Sequence, residues 1–205
     1  MRSSTDPTLR GRCRRCWLLE RVCVCSHVRP RQAPFELLIV RHWKESWRSS
    51  NTGRLASLAF TNCRVLDYGA PGGRFDAAAL ETPDAFLLFP SLEAPVKAEP
   101  ASVSLRGDTG VKTLVVLDST WSQARKLVRR IAPLRTMPRV QVEPTTPPPK
   151  RLRTPPMPSG MGTFEAISRA VEVLDGPEVG AELDALHATF VEHALGQRGG
   201  HPRGG

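Results

Sequence analysis

Four short apolar runs constrain this 205-residue chain more than anything else in it: FELLIV (35–40), CRVLDYG (63–69), AFLLFP (85–90) and TLVVLD (113–118). Each carries little polar alternation, as expected of strands covered on both faces of a sheet. Helix-compatible segments lie between and after them. The first is polar, His42 to Asn62, where His42, Glu45 and Arg48 recur every third residue. After Trp121, Ala124, Leu127 or Val128, and Ile131 follow helical spacing, and Pro133 marks the expected end. RVQV (139–142) reads as a further strand. TFEAISRAVEVL places Phe164, Ile167, Val171 and Leu174 on one helical face, and GAELDALHATFVEHAL offers a last helix. Strands alternating with helices predict an α/β fold with a mostly parallel sheet flanked by helices.

Three boundaries follow. Residues 1–32 form a Cys- and Arg-rich head, 33–196 the α/β body, and the glycine-rich 197–205 a tail expected to be disordered. The connector TTPPPKRLRTPPMPSG is too rich in proline for helix or central strand. There is no internal repeat and no apolar run able to span a membrane. The basic N-terminus lacks the apolar core of a secretory signal, so a cytoplasmic location is expected.

The net charge of +9 favours a polyanionic partner. It is also segregated. Residues 1–32 hold eight Arg against Asp6 and Glu20, and 122–153 hold nine Lys or Arg against Glu143 alone, whereas 172–193 hold six acids and no Lys or Arg. A cationic surface of this kind suits RNA or DNA.

Cys13, Cys16, Cys23 and Cys25 lie within CRRCWLLERVCVC. Four thiolates satisfy a tetrahedral zinc ion, and the first pair has familiar ligand spacing, although the Cys23-x-Cys25 pair is tight. Iron–sulfur ligation is compatible with the same spacing. Four protein ligands leave no open position, which makes the metal structural. Cys63, apart from the cluster, reads as a small buried apolar residue.

Three polar clusters fall near element ends. In HWKESWRSSNTGRLA, Asn51-Thr52-Gly53 is a turn signal, and Thr52 is placed to cap a helix. In Asp118-Ser119-Thr120-Trp121, Thr120 and Gln123 fit a capping box. Asp118 stands at the carboxyl end of a strand, where open α/β sheets bind ligands, and Trp121 either packs in the core or stacks on a ligand ring. In Gly162-Thr163-Phe164-Glu165, Thr163 is a candidate N-cap and Glu165 a first-turn acid.

Taken in order, CRRCWLLERVCVC, HWKESWRSSNTGRLA, LFPSLEA, LDSTWSQARK, RLRTPP and GTFEAISRA resemble the DTW-domain family over roughly residues 13–175. Two positions depart from it: Ser119 stands where glycine is frequent, and Gly162 where the late motif usually has serine. The resemblance implies a tRNA-uridine aminocarboxypropyltransferase with a SPOUT-like sheet bearing a trefoil knot beside an S-adenosylmethionine site. It implies Asp118 as the base or as the group orienting uracil, with Trp121 against the adenine or the base. Asn51, Thr52 and Arg54 would take the carboxylate of the transferred chain or a phosphate. Ser119, Thr120, Thr163 and Glu165 would complete the cofactor pocket. Arg125, Lys126, Arg129 and Arg130, opposite the apolar stripe of their helix, would track tRNA phosphates. No protein partner is implied, and a monomer is compatible. A SPOUT-like RNA methyltransferase and a non-catalytic zinc-bearing RNA binder are the rival expectations.

Overall fold

A computed structural model describes residues 10–90, 102–143, 150–157 and 160–199. Six strands form one sheet: β1 (Glu36–His42), β2 (Cys63–Tyr68), β3 (Ala85–Leu88), β4 (Ser102–Ser104), β5 (Thr113–Asp118) and β6 (Arg139–Gln141). Their order is β2-β1-β5-β3-β6-β4, and every pairing is parallel. All strands therefore present their carboxyl ends at one edge. β5 lies between β1 and β3, and all six of its residues are buried, as its unbroken apolar run predicts.

Side chains alternate across each strand, so the sheet separates two apolar clusters. Leu37 and Ile39 of β1 and Leu114 and Val116 of β5 face one side, where α1 (Gly53–Ala59), α4 (Thr163–Asp175) and α5 (Pro177–Gly199) pack. Leu38, Val40, Val115 and Leu117 face the other, covered by α2 (Trp121–Arg130) and α3 (Ala132–Thr136). Ala124, Leu127 and Val128 are the buried face of α2, and Phe164, Ile167 and Val171 are among the buried residues of α4. The periodicity of both helices was legible in the sequence.

Several expectations are corrected. CRVLDYG is an edge strand, and none of β2 is fully buried. Within it Cys63 is only partly covered, although burial pushes its thiol up to about 12. β4 has no apolar run because a three-residue edge strand is held mainly by backbone pairing to β6 and by the Ser102 hydroxyl on the Phe89 carbonyl, which leaves no sequence signal. The polar stretch after β1 is helical only in a 3-10 turn at Trp43–Glu45 and in α1, so His42, Glu45 and Arg48 do not share a helix face. α2 ends at Arg130, and Pro133 falls in the first turn of α3, where the missing N–H costs nothing. The last helix continues to Gly199, past the boundary expected at 196, while residues 200–205 lie outside the described residues.

The Cys-rich head packs against the body. Cys16, Leu18 and Val24 belong to the same apolar cluster as β1, α4 and α5. Gln197 Oε1 of α5 accepts hydrogen bonds from Leu19 N at 3.2 Å and Arg12 Nη1 at 3.4 Å. His193 pairs through Nδ1 with the Val22 carbonyl at 3.1 Å.

Candidate active site and cysteine-rich head

A cavity of about 980 Å³ opens at the carboxyl edge of the sheet. The ends of β3, β5 and β6 form its floor; the start of α2, the 151–157 segment and the first turn of α4 form its walls. At its base Asp118 is 4% exposed. Its Oδ2 accepts from Asn51 Nδ2 at 2.7 Å, and its Oδ1 accepts from Thr163 Oγ1 at 3.1 Å. One carboxyl thus joins β5, the turn before α1 and the start of α4. Burial raises its pKa above the ordinary carboxylate value; the Asn51 and Thr163 donors oppose the shift, and the charge of Glu45 adds to it.

Asn51 is fully committed. Its Nδ2 also donates to the Glu45 carbonyl at 3.0 Å, and its Oδ1 accepts from Arg54 N at 2.9 Å. That last bond gives Asn51 the capping function expected of Thr52, whose hydroxyl caps nothing but lines the cavity. Gly53 lets the chain pass Asp118, since a Cβ there would sit 2.5 Å from Cγ and Oδ1 of the carboxyl.

Thr120 caps α2 as its capping box with Gln123 predicts. Ser119 and Thr120 both line the cavity, with the Ser119 hydroxyl donating to the Thr120 carbonyl. Trp121 stands partly exposed on the wall, its ring centroid 6.5 Å from that of Phe89. Thr163 is not an N-cap. Gly162 holds that position, freeing the Thr163 hydroxyl for Asp118. Glu165 accepts from Gly162 N at 2.6 Å and takes the Arg151 guanidinium on both oxygens, at 3.1 and 3.2 Å. A Cβ at Gly162 would meet only Glu165 and the Thr52 hydroxyl at ordinary contact distance. The departure from the family's serine therefore leaves the local geometry intact.

Arg54 is the one expected pocket residue placed elsewhere. Its guanidinium donates to the Ser46 carbonyl and lies 5.4 Å from the Trp17 ring centroid, and burial lowers its pKa to about 10. The cavity instead takes its cations from Arg125, Arg151 and Arg153. Arg153 Nη2 meets buried Glu45 at 2.6 Å and Ser50 Oγ at 2.8 Å. Both arginines stand in RLRTPP, and a reading of that stretch as mere connector hides them. His187 of α5 also lines the cavity, 4% exposed and 5.9 Å from the Phe164 ring; a lone histidine on an amphipathic helix gives no signal.

Arg125, Lys126, Arg129 and Arg130 are all exposed on the outer face of α2. Arg125 alone reaches the cavity rim. Among the described residues, none of the four makes an ion pair.

In the head, the sulfurs of Cys13, Cys16, Cys23 and Cys25 lie within 4.8 Å of one another, and all four thiols are unbridged. Sγ of Cys13 and Cys25 are 3.6 Å apart, and those of Cys16 and Cys23 are 3.7 Å apart. Four sulfurs at zinc–thiolate bond length around one ion stand ~3.8 Å apart, so the set fits a tetrahedral ion. Burial pushes the Cys23 thiol up to about 11; burial followed by the charge of Cys16 pushes Cys25 up further. Once deprotonated, the four sulfurs could hold one metal ion between them.

The sheet and its edge cavity define an α/β protein with an open cavity at the strand ends. The chain matches the DTW domain over residues 10–195 and belongs to that family. A curated relative, tRNA-uridine aminocarboxypropyltransferase 2 of Drosophila melanogaster, is 26% identical over 186 residues, covering 86% of this chain and 72% of that protein. No solved structure matches the chain. Among the described residues, no helix is long and apolar enough to cross a membrane.

Proposed function

We propose that this protein transfers the 3-amino-3-carboxypropyl group of S-adenosylmethionine to N3 of a tRNA uridine and releases 5′-methylthioadenosine. The observation that carries this reading is the cavity at the carboxyl edge of the sheet, built on a buried carboxyl and walled by aromatic and cationic side chains in a DTW-family chain. The name of the fly relative points the same way.

The lining suits such a donor. Phe89, Trp121, Met157 and Met161 offer apolar surface to an adenine and a thioether, while Arg151 and Arg153, paired with Glu165 and Glu45, would turn their remaining N–H groups to a carboxylate. Asn51 and Thr163 hold Asp118 in place, and Thr52, Ser119, Thr120 and Glu165 shape the walls around it. In the reaction the uridine N3 forms a bond to the chain carbon next to sulfur. The carbon–sulfur bond breaks with its electron pair going to sulfur, and Asp118 takes the N3 proton or orients the uracil that gives it up. A sulfonium activates its carbon toward displacement, so holding N3, that carbon and the departing sulfur in line supplies much of the rate. Arg125, Lys126, Arg129 and Arg130 would lie along the phosphates, and the head would hold zinc. The same reading takes the sheet to be of the SPOUT type with its trefoil knot, residues 1–32 and 33–196 as head and catalytic body, and the enzyme as cytoplasmic, with no protein partner implied.

One incubation decides the reaction. With protein, S-adenosylmethionine and bulk tRNA, mass spectrometry is expected to find methylthioadenosine. S-adenosylhomocysteine would replace this reading by a methyltransferase, and neither product would leave an RNA binder.

Gly53→Ala gives a sharper local test. Position 53 lies in the first turn of a helix, where alanine is the better former. Any loss therefore reports the contact with Asp118. Turnover is expected to fall at least ~100-fold, while stability drops by only about 1–3 kcal/mol from overpacking. Kinetics alongside thermal melting checks this, and an unchanged turnover would show that Asp118 need not hold its place.

A further inference from the structure

Three of the chain's four tryptophans meet outside the cavity. The Trp43 and Trp47 rings pack edge to face with centroids 4.5 Å apart. Trp17 of the head donates its ring N–H to the Trp47 carbonyl. Its own ring carries the Arg54 guanidinium at 5.4 Å. Trp47 is nonetheless 46% exposed, one of two large apolar side chains left open among the described residues. Lys44, exposed, stands 6.0 Å from the Trp43 ring centroid, and Arg48 is also exposed.

The position of this cluster gives it meaning. Trp43 directly follows β1, and Gly69, just past β2, takes a φ of +79° where a Cβ would come within 3.4 Å of the Trp43 ring. The tryptophans therefore sit on the same carboxyl edge as Asp118. The loop that carries Trp47 also supplies Glu45 and Ser50, the partners of Arg153 in the cavity wall. The aromatic surface and the cavity are two ends of one continuous edge.

A half-open aromatic surface among cations suits a base with its phosphate. Every unpaired base has a face to stack, and lysine and arginine supply the counter-charge. A protein partner would more often meet a patch in which lysine is sparse. We propose that Trp47, backed by Trp43 and Trp17, is a stacking platform for an unpaired base of the RNA substrate, with Lys44 and Arg48 on the adjoining phosphates. The platform holds a nucleotide near the one that enters the cavity. It rests on the tRNA reading above.

The test measures binding alone, without S-adenosylmethionine. Unmodified tRNA transcript, an oligouridine and an RNA duplex of matched charge are titrated into the full chain and into Trp47→Ala and Trp47→Phe. The alanine variant is expected to lose roughly 10-fold in affinity for tRNA and oligouridine but nothing for the duplex, with its salt slope unchanged. Phenylalanine restores most of the loss. Equal tRNA affinity in wild type and Trp47→Ala overturns the platform while leaving the tRNA reading intact. A loss shared by the duplex, with a lowered Tm, also overturns it and makes Trp47 a joint between head and body. If the wild type binds no RNA, both readings fall together. A second measurement needs no change at position 47: oligouridine quenches the tryptophan fluorescence of Trp121→Phe, and unaltered emission overturns the proposal.

Discussion

Asp118→Ala is expected to lower transfer by about 100- to 10,000-fold, the range for loss of a proton acceptor, while tRNA affinity stays nearly unchanged. The fold should tolerate the change at moderate cost. Asn51 keeps its bond to the Glu45 carbonyl but loses the one to the carboxyl, and the Thr163 hydroxyl loses its partner, a cost of about 1–3 kcal/mol for each donor. Wild-type turnover in this variant would remove Asp118 from the site.

Asp118→Asn separates chemistry from positioning. An asparagine can accept from Asn51 through its oxygen and donate to the Thr163 oxygen through its amide, so the join between β5, the α1 turn and α4 persists. If Asp118 moves the proton, Asn is as inactive as Ala. If Asp118 only anchors, Asn retains activity. Stability gives a second reading with a definite sign. A carboxyl whose folded pKa lies above its unfolded value of ~3.9 binds its proton more tightly when folded. Its contribution to stability therefore falls as pH rises from that unfolded value to the raised folded one, then levels off. Asn lacks the titration, so its Tm should gain on wild type through that window and stay level with it or above at neutral pH. A Tm for Asp118→Asn well below wild type at neutral pH would show that the buried charge stabilises the fold.

Treating the chain with a metal chelator is expected to have the second large effect. The four thiols are packed into the cluster that also contains β1, α4 and α5, so the head cannot loosen without exposing that core. Structural zinc contributes ~10–16 kcal/mol to the folding of isolated zinc fingers. Losing even a quarter of that should lower Tm by roughly 5–15 °C in a domain of this size. Melting the chain with and without a chelator, beside a metal assay, checks the shift. Full stability, affinity and turnover without metal would mean that the head needs none. Visible absorbance in the protein as isolated would identify an iron–sulfur centre in place of zinc.

Much of this architecture was open to a reading of the chain. β1, β3 and β5 announce themselves as apolar runs, α2 and α4 by their spacing, and Thr120 by its capping box, because each depends on neighbours in sequence. β4 and the edge position of β2 were not open, since backbone pairing and exposure depend on distant strands. The site divides in the same way. Asp118 could be picked out as an acid at a strand end. Its partners Asn51 and Thr163 lie 67 and 45 residues away.

The sequence by itself determined the local elements, the thiol cluster, the basic face of α2 and, through its ordered motifs, the family. Only the tertiary structure decided which polar groups share one cavity. It turned Arg54 from the pocket to the Trp17 ring and brought Arg151 and Arg153 out of a proline-rich connector into its wall. It also fused the head to the body through α5. The physical reason is that a cap or an amphipathic stripe is satisfied within a few residues. A buried carboxyl or guanidinium is satisfied only by whatever the folded chain brings against it.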